Sequence, residues 1–295
     1  MSIAFATMTR NEGYFLPKWI QYYSQYVRKD QLYILLDGGD QLLPEESVGC
    51  QIISLPRRGY GRGWDRNRWD ALQNFAGLLL SRYDVVVLGD VDELIVCDPL
   101  SGETLLPALA RARQEEVISP FAVEVIHRTD LEPSLDLDRP ILKQRRFARV
   151  NASYCKPCVI SKPVCWSVGG HYSDHPTLNL DPSLYLFHLR FVDRNMLIER
   201  QRSRIAIIQE GLLAQTGGNE PVAGAGWSKG LIEIDEFLES FIRKGAPIDN
   251  GFVFDWQRTK IQGSWEWDED QGVWCHPKLH NRRTYIIPER FSDFF

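Results

Sequence analysis

Short apolar runs alternate with amphipathic stretches through the first half of the chain, the pattern of strands and helices built around an α/β sheet. Residues 3–8 read as a buried strand that opens onto the polar pair Asn11-Glu12. Phe15, Leu16, Trp19, Ile20, Tyr23, Tyr26 and Val27 recur at helical spacing and predict a helix of roughly four turns. Strands follow at 32–36 and 51–55, the first ending in the turn signal Asp37-Gly38-Gly39-Asp40. A helix is predicted over 65–82. The run Val85-Val86-Val87-Leu88 is the most apolar strand, and it leads into Gly89-Asp90-Val91-Asp92-Glu93. A helix at 103–113 and a strand at 117–126 come next.

Beyond residue 131 the periodicity weakens, and 131–182 reads as loop-rich with short strands. A strand at 184–191 carries His188, and a helix over 193–215 is capped by Asp193. A Gly-rich linker over 216–230 and a helix at 231–243 follow. The last thirty residues hold several tryptophans without a clear period. The fold class is therefore α/β, a mixed sheet flanked by helices with a largely helical C-terminal extension. The expected division is a catalytic domain over 1–192, with halves 1–100 and 101–192, and the extension over 193–295.

Composition narrows the function classes. The 295 residues are 44% hydrophobic and 25% charged, an ordinary globular balance. Thirty-four basic against thirty-nine acidic side chains leave a net charge of −5, which argues against a nucleic-acid partner. No apolar run approaches the ~20 residues of a membrane span, and residues 1–13 have no signal-peptide pattern, so a cytoplasmic location is expected. Six cysteines are too few for a disulfide scaffold in so long a chain.

The sharpest chemistry is Asp90-Val91-Asp92 at the end of an apolar strand. In an extended chain residues i and i+2 share a face, so both carboxylates point to one side. Like charges held together are costly unless a cation or a hydrogen-bond partner compensates, and hard divalent ions prefer such oxygen ligands; the alternative reading is an exposed acidic turn after a strand. Open α/β sheets bind ligands beyond the carboxyl ends of their strands. Asn11-Glu12, Asp37 and Asp90/Asp92 all stand at such ends. The stretch Arg57 to Arg68 supplies cations able to flank a diphosphate.

The segments MTRNEGYFLPKWIQYYSQY, LLDGGD and YDVVVLGDVDELIV together resemble the family-2-like glycosyltransferases of the GT-A fold, a Rossmann-related architecture. They are similar in particular to the small bacterial branch that pairs an N-terminal KNE opening with a DVDE metal motif; here Arg10 stands where that branch often has Lys. The resemblance covers residues 3–100 well and continues loosely through Lys156-Pro157, Gly170-His171 and Phe187-His188 to about 192. It implies a transferase moving sugar from a nucleotide-sugar, a UDP-sugar first, to an acceptor hydroxyl with inversion, in bacterial glycan or polysaccharide synthesis. It implies Mn²⁺ or Mg²⁺ on Asp92, with Asp90 near the ribose or a metal-bound water and His188 completing the shell. Asn11 and Glu12 then contact the nucleotide and Asp37 the base. Asn67 or Arg68 reaches the donor, and Lys156 neutralises a phosphate. Glu124, Asp174 and His171 are the candidate general bases, Glu124 first. The acceptor is a glycan, a lipid-linked or another hydroxyl, and the last hundred residues shape its site or pack against a second copy.

Three other readings compete. Cys155, Cys158, Cys165, His171 and His175 have a spacing that suggests zinc, but on a strand Cys155 and Cys158 face opposite ways. A haloacid-dehalogenase-like phosphatase also places Asp-x-Asp after an apolar strand, but its motif normally sits near the N-terminus. A binding protein on a degenerate transferase fold would keep nucleotide affinity without turnover. Arg194, Arg200, Arg202 and Arg204 on the helix after Asp193 form either a solvated face or a receptor for a phosphorylated or acidic acceptor.

Overall fold

The computed structural model describes residues 1–214, 221–277, 279 and 283–295. In chain order its strands are β1 (Ile3–Thr9), β2 (Leu32–Asp37), β3 (Gln51–Leu55), β4 (Val85–Leu88), β5 (Glu93–Cys97) and β6 (Val117–Ile126). They continue with β7 (Phe147–Val150), β8 (Val159–Ile160), β9 (Leu180–Phe191), β10 (Glu266–Asp268), β11 (Val273–Cys275) and β12 (Tyr285–Ile286). The helices are α1 (Phe15–Tyr23), α2 (Trp64–Leu80), α3 (Leu105–Ala110), α4 (Ala112–Glu115), α5 (Ile141–Gln144), α6 (Arg194–Leu213), α7 (Leu231–Arg243) and α8 (Asp255–Gln262).

The fold is α/β and Rossmann-like. Ten strands form one mixed sheet, in which β4-β1-β2-β3 run parallel. Because β2 and β3 lie on one side of β1 and β4 on the other, the order reverses between β1 and β4. Beyond β4 the sheet turns antiparallel through β8, β6, β7 and β12, while β9 lies parallel to β6 and antiparallel to β5.

Strand alternation builds two hydrophobic layers. Ile3, Phe5, Val85 and Val87 point to the face covered by α1, whose Phe15, Trp19 and Tyr23 join the same cluster. Ala4, Ala6, Val86 and Leu88 point to the opposite face, where α2 contributes Trp69, Leu72, Ala76 and Leu79. Strands buried on both faces are nearly continuous in apolar residues, which is why β1 and β4 read so clearly. Among the described residues no helix is long and apolar enough to cross a membrane.

Three segments differ from their sequence expectation. The helix begun at Phe15 stops at Tyr23, and Tyr26 and Val27 pack against the core from hydrogen-bonded turns rather than a fourth turn of helix. The run after the carboxylate motif is a strand, β5, paired among the described residues only with β9. Its other edge is satisfied by α1: the Ile95 amide donates to Tyr23 Oη at 3.0 Å, and Tyr22 Oη donates to the Ile95 carbonyl at 2.8 Å. Part of the segment expected as a linker over 216–230 lies outside the described residues, as does residue 215. Its described part folds back, with the Gly63 and Asp65 amides donating to the Pro221 and Val222 carbonyls. At the other end of the chain β12 pairs with β7, and Phe291 and Phe295 join the cluster under β5 and β9.

Gly170 packs directly against Trp69. Its φ is +64°, and a Cβ there would lie 2.3 Å from the Trp69 ring. Gly170→Ala is expected to destabilise the fold by about 1–3 kcal/mol through overpacking and left-handed strain, seen as a lower urea midpoint at unchanged slope.

Candidate active site

The candidate site lies where the strand order reverses. Just beyond β1 come Asn11 and Glu12, and just beyond β4 comes Asp90. Asn11 adopts a left-handed backbone with φ of 50°, a conformation Asn tolerates, and its amide donates to Gln41 Oε1 at 2.9 Å. Glu12 takes the Tyr14 and Phe15 amides on Oε1 at 3.3 and 3.2 Å, satisfying orphan donors at the start of α1. Its Oε2 pairs with Arg200 at 3.2 Å.

The aspartate motif is not extended. β4 stops at Leu88, and the Glu93 amide donates to the Asp90 carbonyl at 3.0 Å, closing a tight turn. The turn is required because β5 must reverse to pair with β9, setting Glu93 opposite His188. The two carboxylates are therefore unequal: the Asp90 side chain is 30% exposed and that of Asp92 6%. Asp90 accepts from Arg68 at 3.3 Å and faces the Lys156 ammonium at 3.8 Å. Burial would raise its pKa, but the charges of Arg68 and Lys156 outweigh burial and bring it down to about 2. Burial works against ionisation of Asp92 too, but Arg200, 3.3 Å away, with His188 holds it below the usual carboxylate range.

Beneath these groups run two buried ion pairs. Lys156 Nζ donates to Glu93 at 2.6 Å and lies between the rings of Trp69 and Tyr154. Burial dominates at Glu93 and pushes its pKa up despite the lysine. Arg149 donates to Glu124 Oε2, while Glu124 Oε1 meets His188 Nδ1 at 3.1 Å. Burial opposes ionisation of Glu124, yet Arg149 and His188 hold its carboxyl well below the ordinary range. His188 stacks on Tyr154 with ring centroids 4.0 Å apart.

The structure thus brings Glu12, Arg68, Asp90, Asp92, Lys156 and His188 into one network. Glu124 enters it as the residue that orients His188. His171 lies near Asp90, His188 and Lys156; burial and the lysine charge lower its pKa to about 3, so it is neutral at pH 7. Its Nδ1 meets the Ser153 carbonyl at 2.7 Å, which assigns Nδ1–H as the donor and leaves Nε2 as an acceptor. Asp37 ends β2, half-buried, with burial raising its carboxyl. Two expected residues lie apart from the network. Asn67 is exposed in the first turn of α2, and Asp174 closes a local loop by accepting the Cys165 amide at 2.9 Å. The thiols of Cys155 and Cys158 are buried and pushed up to about 12, and Cys165 is exposed beside Gln73.

Sequence reasoning did not single out Glu93, Arg149, Tyr154, Arg190 or the pairing of Arg200 with Arg204. The last carried a signal: residues four apart share a helix face.

The donor types suit Mn²⁺ or Mg²⁺. An imidazole oriented by a carboxylate, beside two aspartates, is a common way of holding such an ion. As placed, no three His, Cys, Asp or Glu side chains among the described residues converge closely enough to hold a metal. Arg200 covers Asp92 while Arg68 and Lys156 cover Asp90, so binding an ion there requires Arg200 to move off Asp92.

No family model matches the chain, and no curated protein matches it. Among solved structures it is similar to the mannose-1-phosphate geranyltransferase of Thermus thermophilus, at 12% identity over 74% of this chain. The match spans 66% of that protein's chain with a TM-score of 0.25, a likeness that carries no functional argument.

The Glu124–Arg149 pair gives a direct test of this network. Removing one partner of a buried pair leaves an uncompensated charge, so Arg149→Met is expected to cost about 3–5 kcal/mol. The double variant Arg149→Met with Glu124→Gln should recover most of that loss. Urea denaturation of the two variants checks the coupling.

Proposed function

We propose that the chain is a metal-assisted glycosyltransferase of the GT-A type that moves a sugar from a nucleotide-sugar, UDP-sugars first, to an acceptor hydroxyl with inversion. What supports the reading is one convergence: Glu12 from the end of β1 and Asp90 and Asp92 from the end of β4 meet His188 and basic side chains at the point where the strand order reverses. That is where open α/β sheets bind nucleotides. The acceptor is a glycan, a lipid-linked or another hydroxyl compound.

In this reading Asp92 and His188 hold the metal, with Asp90 beside them. A Mn²⁺ or Mg²⁺ bound there supplies stabilisation of the negative charge on the departing nucleoside diphosphate. Glu124 keeps the His188 ring in place through Nδ1, freeing Nε2 to ligate. Arg68 and Lys156 favour the ionised form of Asp90. Asn11 and Asp37 line the nucleotide side of the site. Among the three candidate bases, Glu124 has both oxygens engaged and Asp174 caps a loop. His171 retains an acceptor nitrogen at Nε2, but the burial and the Lys156 charge that keep it neutral also make it a weak base as placed.

The test is thermal unfolding with nucleoside diphosphates, with and without Mn²⁺. At 100 times the dissociation constant, ligand and metal together should raise the melting temperature by on the order of 5 °C. Asp92→Asn should abolish the metal-dependent part. Release of nucleoside diphosphate from the matching nucleotide-sugar, lost in the same variant, completes the case for an enzyme. Binding without release would leave a nucleotide-sugar-binding protein, and no metal-dependent shift with any nucleotide would sink the proposal.

A further inference from the structure

Three arginines gather beside the site, close enough for the charges of Arg190 and Arg200 to act on Arg204. Arg190 ends β9, and Arg200 and Arg204 lie one turn apart on the same face of α6. Among the described residues only Arg200 of the three is in an ion pair with acids, Glu12 and Asp92. Arg190 donates to neutral acceptors, Gln201 Oε1 at 3.2 Å and the Gly226 carbonyl at 3.4 Å. Each of the three also has a buried nitrogen with no hydrogen-bond partner among the described residues: Arg190 Nε, Arg200 Nη1 and Arg204 Nη1. Buried donors are nearly always satisfied in folded proteins, so three orphans in one cluster call for a missing acceptor.

Each guanidinium also lies against an aromatic ring: Arg190 against Phe191 at 5.3 Å, Arg200 against Phe15 at 4.7 Å, Arg204 against Trp227 at 5.3 Å. Such contacts restrain the planar groups, and guanidinium forks match the oxygens of phosphate. The electrostatics agree. Burial, together with the like charges of Arg190 and Arg200, lowers Arg204 to about 9.

We propose that Arg190, Arg200 and Arg204 form a phosphate-binding site on the α6 side of the candidate active site, able to take a phosphate group without a metal ion. The group comes either from the diphosphate of the donor or from a phosphorylated acceptor. Only that choice of source rests on the transferase reading; the anion binding itself does not. Filling the site draws Arg200 toward the phosphate and away from Asp92, which frees the carboxylate.

The experiment is calorimetric titration of pyrophosphate into the full chain in EDTA, at fixed ionic strength. Wild type should bind, and Arg204→Met and Arg190→Met should each weaken binding tenfold or more. Arg204→Lys, which keeps the charge but loses the fork, should weaken it at least threefold. The unliganded melting temperature of Arg204→Met should equal or exceed that of wild type, because a group kept for a ligand contributes nothing to stability in its absence. A structural arginine would instead lower it. Loss of pyrophosphate binding in saturating UDP assigns the site to the donor. Binding of glucose 1-phosphate alongside saturating UDP assigns it to the acceptor. No binding by wild type in EDTA, or an unchanged constant in both methionine variants, overturns the proposal. Failure of metal-dependent nucleotide binding, with pyrophosphate binding intact, would count against the transferase reading alone.

Discussion

Buried charge must be paired, and that constraint organises everything beneath the candidate site. Glu93 is committed to Lys156, and Glu124 to Arg149 and His188, all of them buried. Neither carboxylate tolerates the loss of its partner. The pairs join β5 to the segment before β8 and β6 to β7 and β9, so the antiparallel half of the sheet is tied together by the same contacts that position Asp90, Asp92 and His188. The tight turn at Asp90–Glu93 follows from this arrangement, since β5 has to run back along β9 to set Glu93 opposite His188.

The arginine cluster obeys the opposite logic. Its members lie close together, each against an aromatic ring and each with one nitrogen that has no partner among the described residues. Such an arrangement opposes folding and persists when a ligand repays it. The site therefore has buried ion pairs on one side and, on the other, three arginines that each keep one nitrogen without a partner among the described residues. Arg200 belongs to both, since it bridges Glu12 and Asp92 while keeping one nitrogen without an acceptor among the described residues. It is the side chain through which anion and metal binding would communicate.

Much of the fold was legible because burial on both faces leaves a strong mark: β1, β4 and β6 are nearly unbroken apolar runs, and α2 repeats its apolar residues at helical spacing. β5 was hidden because its apolar run follows directly on the acidic motif and reads as the tail of a turn. α8 is mostly polar, and β10 to β12 are two or three residues long, too short for any period. In the site, the residues at strand ends were legible because sheet topology alone brings them together. Asp90 and Asp92 were legible as a pair but not in their geometry, since the turn that separates them depends on a strand far later in the chain. Arg149 and Arg190 were not legible at all. A buried arginine is recognised by its partners, and these come from other elements. Arg200 and Arg204 stood in plain view on one helix face, where a run of charges more often marks a solvated stripe.

In the proposed function, nucleotide binds where the strand order reverses between β1 and β4. An open cavity, of about 750 Å³, lies elsewhere, lined by Asp98, Ser101, Arg111 and Asp181. Photocrosslinking with azido-uridine diphosphate, followed by peptide mapping, decides between them. Label on peptides holding residues 10–15, 37–41 or 89–93, competed by unlabelled nucleotide, is the result predicted. Competable label confined to peptides around residues 98–111 or 179–183 would contradict it.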